Sequence, residues 1–520
     1  MFLNKGDCVG IIGGGLGGLA AACTLAARGH RVILFERSAR VGGGIVHFEK
    51  AGFRFDPLPG IPTDRASLNR IFAEAGERLE NYVELTCADP QWRSFFPDGT
   101  TLDLTSDPAR MSANLEAFAS SDTARAYRSF MAWTAGLDEF LERCYFWKSI
   151  DGWRDMFKLR ALLNPATLCQ LARLRPSRTI GSEVRRLFSD RRLRQLWLEF
   201  AQLAGLAPRS SPAMLCGIVN RQANDWFPRG GFTEIPAALE RLARELGVQI
   251  FSNTCIRRIL IQDGPIPEVE GVETESGERV RFSTIISNSD VGRTHRELLS
   301  GTRACALFEK RDRCEPTCSA VVLHWGLKKR YEHLLHHNFV FSRNPEEEFE
   351  AVHRVGNPAP DPTCYLRAPA MADPSTAPAG GEALSVLIHA PYLRSGHDWT
   401  RMLPDCRQQI IKKLRTEAGL ADIEERILIE HTLTPRDFAR DHHLRHGAIY
   451  GAASRGRFFG TFKPGNRSAD LRGLYFAGSS VHPGLGMELM SGWIAADALD
   501  DDCAGLEAAP EFIEPEVAEF

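Results

Sequence analysis

The sequence carries almost no net charge, no paired cysteines at metal-ligand spacing and no long apolar run free of glycine, and each absence removes a class of function. A formal charge of -3 over 520 residues gives no global field to gather nucleic acid or an acidic partner. The 13 cysteines are scattered; the closest two, Cys314 and Cys318, lack a second pair that would complete a zinc site. They are expected to be mostly buried small hydrophobes in a reducing compartment. Cys8 to Ala27 is uncharged and follows Lys5, but Gly13, Gly14, Gly15, Gly17 and Gly18 interrupt it. Each would weaken a helix by about 1 kcal/mol relative to alanine, which excludes a signal or membrane helix there. What remains, 43% hydrophobic and 25% charged, is the composition of a folded chain of two or more domains.

The interrupted run reads instead as a nucleotide site. Residues 8 to 12 form a buried parallel strand, Leu19 to Arg28 an alanine-rich helix ending at Gly29, and between them stands Gly13-Gly14-Gly15-Leu16-Gly17-Gly18. In this strand–turn–helix context Gly13 makes the tight turn, Gly15 lets backbone approach a pyrophosphate, and Gly18 allows helix-on-strand packing. The helix N-terminus offers N–H groups to the phosphates. A second strand, Arg31 to Phe35, ends at Glu36, whose carboxylate suits the two ribose hydroxyls. The next residues, Glu36-Arg37-Ser38-Ala39-Arg40-Val41-Gly42-Gly43-Gly44, resemble the extended fingerprint of glutathione-reductase-like flavoproteins, in which a second glycine turn follows an acid and an arginine. That resemblance favours FAD over NAD, with Arg37, Gly43 and Gly44 beside it; Gly44 stands where the amine oxidase and desaturase branch usually has arginine.

No second G-x-G-x-x-G follows a strand, so no NAD(P)H site is visible and the electrons must come from the substrate. The expected architecture is α/β: a Rossmann-like FAD domain assembled from residues 1–75, 221–295 and 456–503, a mixed substrate domain from 76–111 and 296–455, and a helical cap over 112–220. An acidic, frayed tail is expected over 504–520. In the third FAD segment, Gly478 and Ser479 open a loop, and Gly486 and Met487 precede a helix whose N-terminus, aimed at the flavin, would favour the negative charge of reduction. In the cap, Tyr145, Phe146, Trp147, Trp153 and Phe157 lie near Arg154, Lys158, Arg160, Arg173, Arg175, Arg178, Arg185 and Arg186. These suit either a helix lying in an anionic lipid interface or a packed cap with a solvated basic face.

Over nearly its whole length the chain resembles the phytoene desaturase family of carotenoid-modifying flavoenzymes. The likeness runs through Gly13 to Gly44, Gly52-Phe53-Arg54-Phe55-Asp56-Pro57, Phe227-Pro228-Arg229-Gly230-Gly231, Ser287-Asn288-Ser289-Asp290, His324-Trp325-Gly326-Leu327, Tyr365-Leu366-Arg367-Ala368-Pro369, His397-Asp398-Trp399 and Gly478 to Gly484. It implies hydride removal from an allylic carbon of a long isoprenoid to FAD, with loss of a neighbouring proton and reoxidation by oxygen or a quinone. It also implies that the backbone of Ile256 meets the adenine, and a cytoplasmic, peripheral membrane location. Such a substrate is held by area, ~500 Å² of polyene at ~25 cal/mol per Å² giving roughly 12 kcal/mol before ordering costs. Where the family commonly has Asp-Ala-Gly-Pro and Gly-Ile-Pro-Gly, this chain has Asp56-Pro57-Leu58-Pro59 and Gly486-Met487-Glu488-Leu489. Both stretches are implied to lie beside the isoalloxazine. Glu488 is a candidate base, a partner for a substrate hydroxyl, or a first-turn acid favoured by the helix dipole; His482 is a candidate base or a histidine tied to loop backbone. Two other readings stay open, a flavin oxidase acting on an amine and a non-catalytic lipid-binding relative of the Rab escort and GDP-dissociation-inhibitor kind.

Overall fold

A computed structural model describes residues 8–45, 48–57, 63–150, 174–175, 177–218, 226–311, 316–451, 463–484 and 486–507. Its organising layer is a five-stranded parallel sheet drawn from three distant stretches of chain. Strand β1 (Cys8–Ile12) is central; β2 (Arg31–Phe35) and β3 (Gln249–Phe251) continue on one side, β4 (Thr284–Ser287) and β5 (Leu474–Phe476) on the other. Apolar residues on both faces of β1 and β4 are buried because helices or other sheet cover each side, the usual condition of a parallel sheet. Helix α1 (Leu16–Ala27) is alanine-rich and buried over most of its length, and the chain leaves it through Gly29 at φ +94. It lies against the helix Glu488–Glu507 so closely that a Cβ on Gly492 would stand 2.1 Å from the Gly17 carbonyl oxygen. Small residues on both helices thus bring the second helix's N-terminus beside the glycine turn.

A seven-stranded sheet, in the order Ile427–Leu433, Ser319–Leu327, Glu382–Ala390, Cys364–Arg367, His337–Val340, Trp92–Phe95, Thr101–Leu104, forms the second layer. All pairs are antiparallel except His337–Val340 with Trp92–Phe95. The period-two alternation of Ser319–Leu327 assigns its faces: Val321, Leu323 and Trp325 pack with Ile410 and Leu414 of the helix Trp399–Glu417, while Ala320 and Val322 join the main core. That inner face is roofed by the cap helices Pro108–Phe118, Ser121–Cys144, Ile180–Leu187 and Arg191–Leu203; Phe200 packs against both Trp92 and Phe339.

Two expectations change. The helix continues to Glu507, into the stretch expected to fray from residue 504, and the acids of its last turns are used: Asp500 accepts from Arg28 and His30, Asp502 from Arg467 and the Tyr475 hydroxyl. Residues 508–520 of the expected tail lie outside the described residues. In the cap, Tyr145 and Phe146 are buried, and Trp147 stacks edge-on against Trp493 with Arg70 over its ring. They serve the core, not an exposed aromatic face. Arg175, Arg178 and Arg186 converge on the buried Glu183 carboxylate, a partner that the local composition does not reveal. Trp153, Phe157, Arg154, Lys158, Arg160 and Arg173 lie outside the described residues.

Candidate functional site

A cavity of about 440 Å³ opens at the carboxyl ends of β1, β2 and β4, where open parallel sheets bind ligands. A larger hollow of about 1100 Å³ lies at the other end, against Cys8 and the hairpin Glu268–Arg281, and none of Gly13 to Gly18 is in its wall. At the first cavity the turn is built by necessity. Gly13 adopts φ +97 and donates to the Phe35 carbonyl at 2.8 Å; a Cβ on Gly18 would stand 2.1 Å from the Gly13 oxygen, and one on Gly15 2.6 Å from Asn288 Nδ2. Helix α1 starts at Gly15 with no side chain capping it and no acid in its first turn, so its leading N–H groups face the cavity free for an anion. The second glycine turn folds directly onto the first: Gly42 N–H donates to the Gly14 carbonyl at 2.7 Å, and a Cβ on Gly43 would lie 3.1 Å from Gly15 Cα.

Glu36 is buried at the end of β2, its carboxylate oriented by the backbone N–H groups of Gly14 at 2.7 Å and Ser38 at 2.8 Å. Each oxygen retains a lone pair for a ribose hydroxyl. Gly13, Gly15, Leu16, Gly17, Glu36, Arg37, Gly43, Gly44, Ile256, Gly478, Ser479, Gly486 and Glu488 all line this cavity. The donor set fits FAD: an uncapped helix N-terminus, a fixed ribose acid, a double glycine turn and, opposite them, a third segment ending in a helix N-terminus.

Four predicted residues act from behind the wall. Gly14 is packed against Val41 and serves through its N–H on Glu36; Gly18 serves through helix packing; Met487 is buried, its N–H donating to the Gly484 carbonyl. Pro57 is buried, and its backbone lies near enough to favour the protonated form of the His324 ring. Leu58 and Pro59 lie outside the described residues. Of the two readings of His482, the loop anchor fits: it is buried, its ring N–H donates to the Tyr145 carbonyl at 3.0 Å, and it does not line the cavity. Burial pushes its pKa down to about 4, so the ring is neutral.

Several site residues escaped the sequence. Asn288, just past β4, sits between Gly15, Gly17 and Gly478, with its side-chain oxygen buried and, among the described residues, without a hydrogen-bond partner; the polar ending of an apolar strand and its place in the Ser287 to Asp290 motif were its signals. Lys463 is buried in the cavity wall, donating to the carbonyls of Tyr450 at 2.9 Å and Ser479 at 2.8 Å, and burial lowers its pKa to about 8. Nothing near it in sequence marks it. Gly484 leaves it room, since a Cβ there would come within 2.5 Å of the lysine chain. Burial raises the Glu488 pKa while its own backbone and Lys463 pull it back, so cation and acid balance each other in the cavity wall beside the start of the last helix. Leu203, Ala204, Leu387, Ile449 and Tyr450 from the cap and the seven-stranded sheet complete the cavity with a largely apolar wall.

The family described as flavin containing amine oxidoreductase matches residues 16–500. Among characterised proteins the chain is 34% identical over 513 residues to a 4,4'-diapolycopene oxygenase of Methylomonas sp, covering 96% of this chain and 99% of that one. It is 33% identical over 492 residues to a zeta-carotene-forming phytoene desaturase of Myxococcus xanthus, covering 93% and 92%. A solved putrescine oxidase variant shares the fold at 13% identity and a TM-score of 0.61, over 96% of this chain and 99% of its own. The glycine cradle, the oriented Glu36 and these likenesses agree: the chain is an FAD-dependent oxidoreductase that belongs to the flavin containing amine oxidoreductase family, among its carotenoid desaturase-like members.

Proposed function

We propose that the protein oxidises a long acyclic carotenoid or carotenoid precursor, an allylic carbon giving up hydride to the flavin while the neighbouring atom loses a proton. The observation that carries this reading is the composition of one cavity, glycine cradle at one end and an apolar wall of Leu203, Ala204, Leu387 and Ile449 at the other. FAD supplies the two-electron acceptor. The chain's own residues hold the cofactor, exclude water with the apolar wall, and set charge through Lys463 and Glu488. An apolar chain needs few polar contacts for binding. The half-buried Glu488 is the exception, and it favours a substrate carrying oxygen near the oxidised end, because a carboxylate facing hydrocarbon alone would be costly to desolvate. The names of the relatives, an oxygenase and a desaturase acting on such polyenes, support the substrate class. Oxygen or a quinone then takes the electrons, and access to a membrane-dissolved substrate calls for contact with a lipid surface.

The test is anaerobic mixing of FAD-loaded protein with phytoene, with a conjugated acyclic carotene, with its hydroxylated counterpart and with a primary amine, each in the same detergent. Bleaching of the oxidised flavin band by a polyene, with the oxidised polyene recovered, supports the reading. Bleaching by the amine alone overturns it.

A further inference from the structure

Beside the flavin cavity the structure holds a line of titratable groups, a half-buried tyrosine followed by a buried histidine and a buried acid, that joins it to a second cavity. Tyr450 lines the first cavity, and its hydroxyl lies 3.2 Å from His389 Nε2. His389, 4% exposed on the strand Glu382–Ala390, places Nδ1 3.5 Å from Glu199 Oε1. Glu199, also 4% exposed, comes from the helix Arg191–Leu203, and its other oxygen accepts from Gln202 Nε2 at 2.8 Å. Gln202 in turn lines a separate cavity of about 320 Å³, walled also by Cys318, Phe349 and His353. The tyrosine is held by its surroundings: its carbonyl accepts from Lys463, and a Cβ on Gly205 would come 2.7 Å from Tyr450 Cβ. Gly205, at φ +73, therefore both ends the helix that bears Glu199 and makes room for the ring.

We propose that Tyr450, His389 and Glu199 form a proton relay that removes the proton released when substrate is oxidised in the flavin cavity. The proposal rests on the oxidation put forward above, which needs a proton acceptor that His482 cannot supply. In the step, the substrate's two electrons leave as hydride to the flavin. Its proton goes to the Tyr450 oxygen as the tyrosine's own proton passes to His389 Nε2, and the proton on His389 Nδ1 passes to the Glu199 carboxylate. Glu199 ends as the acid, and its proton leaves through the Gln202 cavity. Burial and the nearby Glu348 raise the proton affinity of Glu199, which suits a terminal acceptor. Among the described residues, the other charged or titratable groups facing the line are His353 near His389, and Cys318, Tyr365 and Lys463 near Tyr450. Glu348 is itself engaged by Thr363, with its pKa pushed up to about 7. Three polar groups satisfying one another in the core would give the same distances, so the test must read proton movement.

The experiment uses the FAD-loaded full chain as wild type, Tyr450→Phe, His389→Gln and Glu199→Gln. Infrared difference spectra titrated against pH without substrate should show a carboxylic acid band that is absent in Glu199→Gln and shifts its midpoint in Tyr450→Phe and His389→Gln. In anaerobic single turnover with the polyene that bleaches wild type, Tyr450→Phe should slow flavin reduction by roughly 100-fold at unchanged FAD content and unchanged substrate affinity. Rate should rise with pH as Glu199 ionises, and Glu199→Gln should lose that limb. A band that no variant alters overturns the relay whatever the substrate, as do wild-type rates and pH profiles in all three variants. If the band behaves as expected while no polyene bleaches the flavin, the relay stands and the substrate class falls.

Discussion

Gly15 is the residue at which the cofactor assignment is most exposed to test. A Cβ there would already stand 2.6 Å from Asn288 Nδ2, so Gly15→Val would force Asn288 away and put two methyl groups where a pyrophosphate must approach. Flavin absorbance per mole of purified protein should fall to a small fraction of wild type while far-UV circular dichroism is kept; full occupancy would contradict the placement of FAD at this turn. Glu488 opens the helix that packs beside this turn, and its side chain, with its raised pKa and the charge of Lys463 acting on it, makes it a residue for choosing substrate, not for holding cofactor. Glu488→Gln should keep full FAD content and shift the ratio of turnover between hydroxylated and unsubstituted polyenes. It should also flatten the pH dependence on the hydroxylated one, because the protonated fraction of the native acid declines as pH rises through its raised pKa. Glu36 and the glycines were legible in sequence because each acts within a few residues of a turn whose geometry dictates the residue type. The two readings of His482 could not be separated in sequence, because its neighbours do not reveal that the Tyr145 carbonyl, from the cap, receives its ring.

The strand Glu382–Ala390 shows how burial of one element sets a titration. Glu382 is 1% exposed; its Oε1 accepts from Ala370 and Ala383 N–H, and Oε2 has no partner. Burial raises its pKa from 4.5 to about 8, so the folded chain keeps it protonated where the unfolded chain would ionise. Its contribution to stability is therefore complete below about pH 4.5 and is lost as pH rises towards about 8. The slope from this one group is at most about 1.4 kcal/mol per pH unit. Glu382→Gln keeps the two backbone contacts and cannot ionise, so chemical denaturation across that range should show a flatter stability profile than wild type. An unchanged slope would mean that the group is solvated in the folded state. Strands such as this one were hard to locate from sequence, since short apolar runs of both layers look alike. The α1 helix was legible, because alanines and the terminal Gly29 signal it locally.

The whole molecule joins a nucleotide cradle to an apolar wall, and how it meets a polyene store is a property of its surface. Tyr145 and Phe146 are spent on the core, and among the described residues no helix is long and apolar enough to cross a membrane. The exposed Arg178, Arg185 and Arg186 remain the described part of the basic face. Flotation with liposomes should therefore depend on anionic lipid and weaken with salt, as exposed charges are screened over about 10 Å at 0.1 M. Equal flotation with neutral lipid would assign the contact to apolar residues instead. By itself the sequence determined the cofactor, through a turn whose spacing, flanking strand and flanking helix are all local, and the family, through motifs strung along the whole chain. Only the tertiary structure decided which side chains meet in and beside the cavity. Lys463, Tyr450, His389 and Glu199 come from four separate stretches, and their meeting depends on how the cap, the seven-stranded sheet and the third cofactor segment pack, which no short-range pattern of residues encodes.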